Sequence, residues 1–262
     1  MAQFPAGNVP LIQTLLRWLR PAPRPIPDLL WQHACQAAPW VHALDVGQQA
    51  QLRTLSERFL HEKTISPLSG LTLDDADVVL LAALCCLPLL AVGEAGLRGW
   101  SQVIVYPDAF RVQRSHVDAA GVLHEWEDEL IGESWDSGPL ILSWADIQAD
   151  LQAPFDGYCV AVHEMAHKID ALDGAMDGTP PLPRDWQREW ARDFQHAYDA
   201  FCGQIDAGEA TLIDPYAAEA PEEFFAVVTE YHFSAPGVLA EALPAVAAHL
   251  RRFYGEPPAA GA

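Results

Sequence analysis

In the stretch VAVHEMAHKIDALDG, residues 160–174, His163 and His167 stand four apart and Glu164 directly follows the first. Residues four apart on a helix lie on one face, so the two imidazoles can converge on a single ion. Glu164 sits about 100° around the helix from His163, where its carboxylate can reach a water on that ion without binding the ion itself. This H-E-x-x-H spacing is that of zinc hydrolases, whose catalytic ion takes three protein ligands and keeps a fourth position open. A third ligand must then come from outside this helix. The competing reading is an ordinary helix whose histidines are satisfied by neighbouring carboxylates.

Downstream, DPYAAEAPEEFFAVVTEYHF supplies Glu219, Glu222, Glu223 and Glu230 and should be helical from about Pro221. Glu223 and Glu230 are seven apart and share a face, near Phe224 and Val227, whereas Glu222 is rotated toward solvent. Spacing alone leaves Glu223 and Glu230 equal as the third ligand. Cysteine is a poor candidate: the five (Cys35, Cys85, Cys86, Cys159, Cys202) are odd in number and contain no C-x-x-C, and Cys85 and Cys86 adjoin in an apolar run, as reduced core residues do. Metal-bound histidines usually hand their other ring N–H to a carboxylate or carbonyl, a place that Asp170 or Glu230 could fill. For either, a solvated surface carboxylate is the competing reading.

Elements of several kinds must position these groups. GYCVAVHEMAHKIDAL is apolar before and between the histidines, with Pro154 and Gly157 ahead of its start and Gly174 at its end, which predicts a partly buried helix. RDWQREWARDFQHAYDAF carries Trp186, Trp190, Phe194, Ala197 and Phe201 as one stripe, a core-facing helix. Residues 28–98 read as a helical half, with Leu52, Leu55 and Phe59 at helical spacing. SQVIVYP and GPLILSW have the composition of short strands, giving a small mixed or antiparallel sheet, and SHVDAAGVLHEWEDELIGESW between them reads as an exposed, charged connection with a glycine turn. Leu140–Leu142 read first as buried sheet and second as an edge for an extended peptide. RPAPRPIPD separates a flexible segment, 1–27, from a single body over 28–254, and the tail 255–262 should fray.

Composition excludes several classes. With 36 acidic and 15 basic residues the net charge is −21, which repels phosphate backbones and anionic lipid, so direct binding to nucleic acid is not expected. The longest apolar run, 78–92, contains Pro88 and falls short of the roughly 20 residues a bilayer crossing needs, so a buried helix is expected there, begun by Asp74, Asp75 and Asp77. LIQTLLRWLRPAPRP places its arginines after the apolar residues, unlike a signal peptide, and the expected location is the cytoplasm.

HEMAHKID at 163–170, followed by Tyr216 and by EFFA at 223–226, resembles the Mlc titration factor A family of bacterial zinc peptidases. The same pair of motifs is similar to the catalytic domain of anthrax lethal factor. LSERFLHEK, VIVYP, ESWDSGPLILSWADIQ and TEYHFSAP extend the likeness to the titration factor family through most of the chain, while the proline-rich start adds no motif to it. The resemblance implies an α+β, mainly helical, zincin-like (gluzincin) metallopeptidase. It implies one Zn2+ per chain on His163, His167 and Glu223, deciding for Glu223 over Glu230, and it makes Tyr216 a catalytic tyrosine beside Glu164. Peptides are the implied substrates, with aminopeptidase-type activity on small ones. It also implies an alternative: a regulatory protein that binds and sequesters a glucose-responsive transcriptional repressor, a basic partner that a charge of −21 suits. Zinc as a structural staple is disfavoured, because Glu164 would then have no role and only three ligands are apparent.

Overall fold

The computed structural model of the chain describes residues 22–108 and 138–258. The expected charged connection over 115–135 lies outside the described residues, as do 1–21 of the proline-rich segment and 259–262 of the tail. The described end of that proline-rich segment is packed: Ile26 is buried, its N–H donates to Glu57 Oε1 at 3.0 Å, and its carbonyl accepts from Arg53.

Helices α1 (Asp28–Ala37), α2 (Pro39–His42) and α3 (Val46–Glu62) follow. Asp45 and Gln48 close a capping box at the start of α3, whose Leu52, Leu55 and Phe59 are buried as their spacing predicts. A four-residue strand, β1 (Thr64–Pro67), interrupts the expected helical half; it is too short, and too quickly ended by Pro67, to show a period. Asp74 then caps α4 (Asp75–Cys86) through the N–H groups of Ala76 and Asp77, and Asp77 returns the bond to the Asp74 N–H. The apolar run continues past Leu87 and Pro88 as α5 (Leu89–Val92), and the segment Leu89–Leu97 is bent away from α4 by 64°. Among the described residues no single helix is long and apolar enough to cross a membrane.

Strands β2 (Gln102–Tyr106) and β3 (Leu140–Ser143) complete a sheet of order β1-β2-β3, with Thr64 opposite Gln102 and Val103 opposite Leu140. All three strands are parallel, where a mixed or antiparallel sheet was expected. The physical reason is the connections: more than thirty residues join each strand to the next, and a long crossover, unlike a tight turn, returns the chain in the same direction. Val103, Val105, Leu140 and Leu142 are buried.

The remaining helices are α6 (Trp144–Gln152), α7 (Val160–Asp170), α8 (Arg184–Asp206), α9 (Pro221–Ser234), α10 (Pro236–Ala242) and α11 (Pro244–Tyr254). The last three each begin on proline, whose fixed φ and missing N–H suit a first helical position. The α8 stripe is core as predicted: Trp190 is fully buried and stacks on Phe194 at 3.9 Å between ring centroids. That stripe grips α9 through Phe224 and Phe225, edge-on to Phe194 and Trp190 at 6.1 and 6.0 Å. With those rings fixed on one side, Glu223 and Glu230 turn toward α7, which also packs on α4 and β3.

Candidate active site

Three side chains from two helices meet between α7 and α9. His163 Nε2 lies 3.2 Å from Glu223 Oε2, His167 Nε2 lies 3.3 Å from the same oxygen, and the two Nε2 atoms are 3.3 Å apart. Ligands bound at about 2.0–2.2 Å and spread tetrahedrally around one ion are separated by about 3.3–3.5 Å. The three atoms therefore form a near-equilateral triangle of the size of one tetrahedral face. His163, His167 and Glu223 are the one such group among the described residues. Glu223 is 1% exposed, a burial that a carboxylate tolerates only with partners.

Glu230, the other carboxylate on that face, is not in the triangle. Its Oε1 takes the Nδ1–H of His163 at 2.6 Å, and its Oε2 accepts the N–H of Cys159 at 2.7 Å. With Nδ1–H committed to Glu230, release of the other ring proton would leave the Nε2 lone pair of His163 facing its two neighbours, the tautomer a metal ligand needs. Glu230 thus joins the ring of His163 to the first turn of the ring's own helix. Of the two carboxylates that sequence left for this place, Glu230 takes it; Asp170 instead accepts the N–H of Gly178.

Cys159, at the cap of α7, offers no side-chain hydrogen bond to the helix. The free N–H groups of the first turn go to carboxylates from other helices: Cys159 N–H to Glu230, and Val160 N–H to Asp150 Oδ2 at 2.7 Å. Sequence reasoning missed Asp150. No local pattern marks it, since it caps a helix that begins ten residues later.

Tyr216 lies in a 3-10 turn, Pro215–Ala218, with its ring centroid 6.1 Å from that of His163 and the residue 40% exposed. Asp214 holds the turn: Oδ1 accepts the Tyr216 N–H at 2.9 Å and Oδ2 accepts the Tyr158 hydroxyl at 2.6 Å, tying it to the approach of α7. Gly157, at φ +110°, lets that approach pass under Tyr231, where a Cβ would come within 2.8 Å of the ring. Glu164 follows His163 on α7 and is half-buried. Of the residues singled out from sequence, His163, His167 and Glu223 are brought together, Glu230 and the Tyr216 ring lie against His163, and Asp170 turns to Gly178 instead.

Burial opposes a charge on His163, but Glu230 and Glu223 outweigh it and raise its pKa well above 6.5 in the metal-free protein. Burial would likewise raise Glu223, yet hydrogen bonds from His163 and His167 hold it far below its ordinary 4.5. Asp150 shows the opposite balance. Burial, against the Val160 N–H, pushes its carboxyl up from 3.8 to about 7. Between those values the folded protein keeps a proton that the unfolded chain has released, so raising the pH across that window costs stability. Asp150→Asn, which keeps an acceptor for Val160, is expected to remove on the order of 2–4 kcal/mol from the stability lost across that window. Urea unfolding of metal-free protein at pH 4.5 and 7.5 measures it, and parallel slopes in variant and wild type would refute the assignment.

Residues 15–255 match the family described as glucose-regulated metallo-peptidase M90. Relatives named Mlc titration factor A, from Yersinia pestis (strain Pestoides F) and Yersinia pseudotuberculosis serotype O:1b (strain IP 31758), are each 35% identical over 250 residues, spanning 94% of this chain and 92% of theirs. A helix-borne histidine pair closed by a buried glutamate is the kind of centre a metallopeptidase needs, and with matches of this extent the chain belongs to the glucose-regulated metallo-peptidase M90 family.

Proposed function

We propose that the chain is a zinc-dependent peptidase, with 28–254 as its single catalytic domain. The observation that carries this is the triangle of His163 Nε2, His167 Nε2 and Glu223 Oε2, whose 3.2–3.3 Å edges suit a tetrahedral ion with its fourth position open. Two imidazoles with one carboxylate are the donor set of several zinc hydrolases. When bound, the ion supplies Lewis acidity, lowering the pKa of water at its open position and polarising the scissile carbonyl.

The protein's own groups do the rest. Glu164 takes the proton of the attacking water as its oxygen bonds to the carbonyl carbon, and delivers that proton to the amine nitrogen as the C–N bond breaks. The phenol of Tyr216 donates a hydrogen bond to the negative oxygen of the tetrahedral intermediate. Glu230 keeps the His163 ring from turning. β3 pairs on one side only among the described residues and packs against α7, so its other edge suits an extended peptide. Elemental analysis of purified protein, alongside hydrolysis of alanine p-nitroanilide, tests the proposal. The expected result is about one zinc per chain, with turnover that a chelator abolishes and added zinc restores. Protein without zinc and without turnover would sink it.

A second reading, compatible with the first, is favoured by the name of the relatives and by the charge of −21. In it the chain binds and sequesters a glucose-responsive transcriptional repressor in the cytoplasm, its acidic surface competing with operator phosphates for the repressor's basic face. Release of an operator fragment in a gel-shift assay reports it.

A further inference from the structure

Helices α7 and α9 run antiparallel, so the site has two ends. At one, Glu230 ties the later part of α9 to the start of α7 through His163 and Cys159. At the other, Asp170 closes α7. It is fully buried, and its Oδ2 accepts the N–H of Gly178 at 2.7 Å. Gly178 has φ +80°, and a Cβ there would lie 2.4 Å from the carbonyl oxygen of Pro221 and 2.9 Å from its carbonyl carbon. Its backbone is thus wedged against the first residue of α9, two before Glu223.

Glu223 lies seven residues from the Glu230 anchor, about 10 Å along the helix at 1.5 Å per residue. A pivot of about 5° about that anchor would carry Glu223 by almost 1 Å, several times the roughly 0.2 Å within which metal–ligand distances must fall. Phe224 and Phe225 set which face of α9 meets α7 and Glu230 ties its later part, while the contact at Pro221 bears on the first turn that carries Glu223. We propose that Asp170 is a positioning residue for the three-ligand centre: by holding Gly178 against Pro221 it sets the distance of Glu223 from His163 and His167. This deepens the metal reading above and rests on it.

Zinc affinity, measured by competition with a chromogenic chelator on the full chain, tests this without reference to turnover, and the visible spectrum of the cobalt-substituted protein reports the geometry. Asp170→Ala is expected to weaken zinc binding by about 10- to 100-fold and to alter the cobalt bands. Gly178→Ala, which displaces Pro221 while leaving Asp170 in place, should do the same. Asp170→Asn, which keeps an acceptor for Gly178, should stay within about threefold of wild type. Leu52→Ala, a core change in α3, should lower the melting temperature and leave zinc affinity unmoved, separating positioning from general stability. A folded Asp170→Ala or Gly178→Ala with wild-type affinity overturns the proposal, as does an Asp170→Asn about 10-fold or more weaker than wild type, which settles the case even if the other two do not fold. Wild type that takes up no zinc overturns the metal reading and the proposal with it; zinc in the wild type with unchanged affinity in the variants overturns the proposal alone.

Discussion

Glu164→Gln should bind zinc at the wild-type stoichiometry and hydrolyse alanine p-nitroanilide on the order of 10²–10⁴ times more slowly, the usual worth of a positioned general base. The two halves of that expectation have separate physical origins. The ligand triangle consists of His163, His167 and Glu223 alone, so an amide in place of the Glu164 carboxylate leaves all three donor atoms in position. Glutamine has nearly the shape of glutamate, and position 164 is only half-buried, so the packing of α7 is preserved. What is lost is a group able to take a proton from water and return it to the leaving amine. That deficit is about 3–5 kcal/mol of transition-state stabilisation at 1.36 kcal/mol per tenfold. Full activity in a zinc-loaded variant would remove Glu164 from the mechanism. The same protein also separates the two proposed roles: if repressor binding uses its own surface, Glu164→Gln should still release the operator fragment.

The sequence made α7 legible because one helix carries both proposed ligands and the proposed base at a spacing that only a helix converts into convergence. It was less informative about α9. A seven-residue interval put Glu223 and Glu230 on one face, and both do face α7, but periodicity gives direction and not depth. Which carboxylate meets the Nε2 atoms and which meets Nδ1 depends on how far along α7 each falls, and that is set by Phe224 and Phe225 against the α8 stripe. The resemblance to the titration factor family chose Glu223, and the geometry then gave Glu230 a place of its own. Asp150 and Gly178 stayed invisible for a related reason. Each acts on backbone atoms of an element distant in sequence, through contacts that leave no local pattern. The direction of the sheet was likewise beyond strand composition, since parallel pairing follows from the connections.

Glu223→Ala is expected to lose the metal and the activity together. Apparent binding energies of zinc in four-ligand sites run at about 10–16 kcal/mol, so a single ligand carries roughly a quarter of that, and its removal should weaken binding by on the order of 10²- to 10³-fold. Zinc that survives dialysis in the wild type should then be nearly absent from the variant. Glu223 contributes more than an oxygen atom: it is the one anion between His163 and His167, and their hydrogen bonds are what hold its own carboxyl far below the ordinary range despite burial. Alanine there leaves two imidazoles facing each other at 3.3 Å with no charge to balance a divalent cation. Glu230 is unable to replace it, because both of its oxygens are engaged, one with His163 Nδ1 and one with the Cys159 N–H, on the far side of the ring from the Nε2 triangle. Retention of stoichiometric zinc by Glu223→Ala would show that Glu230 or another carboxylate closes the centre, and the ligand set would have to be redrawn around it.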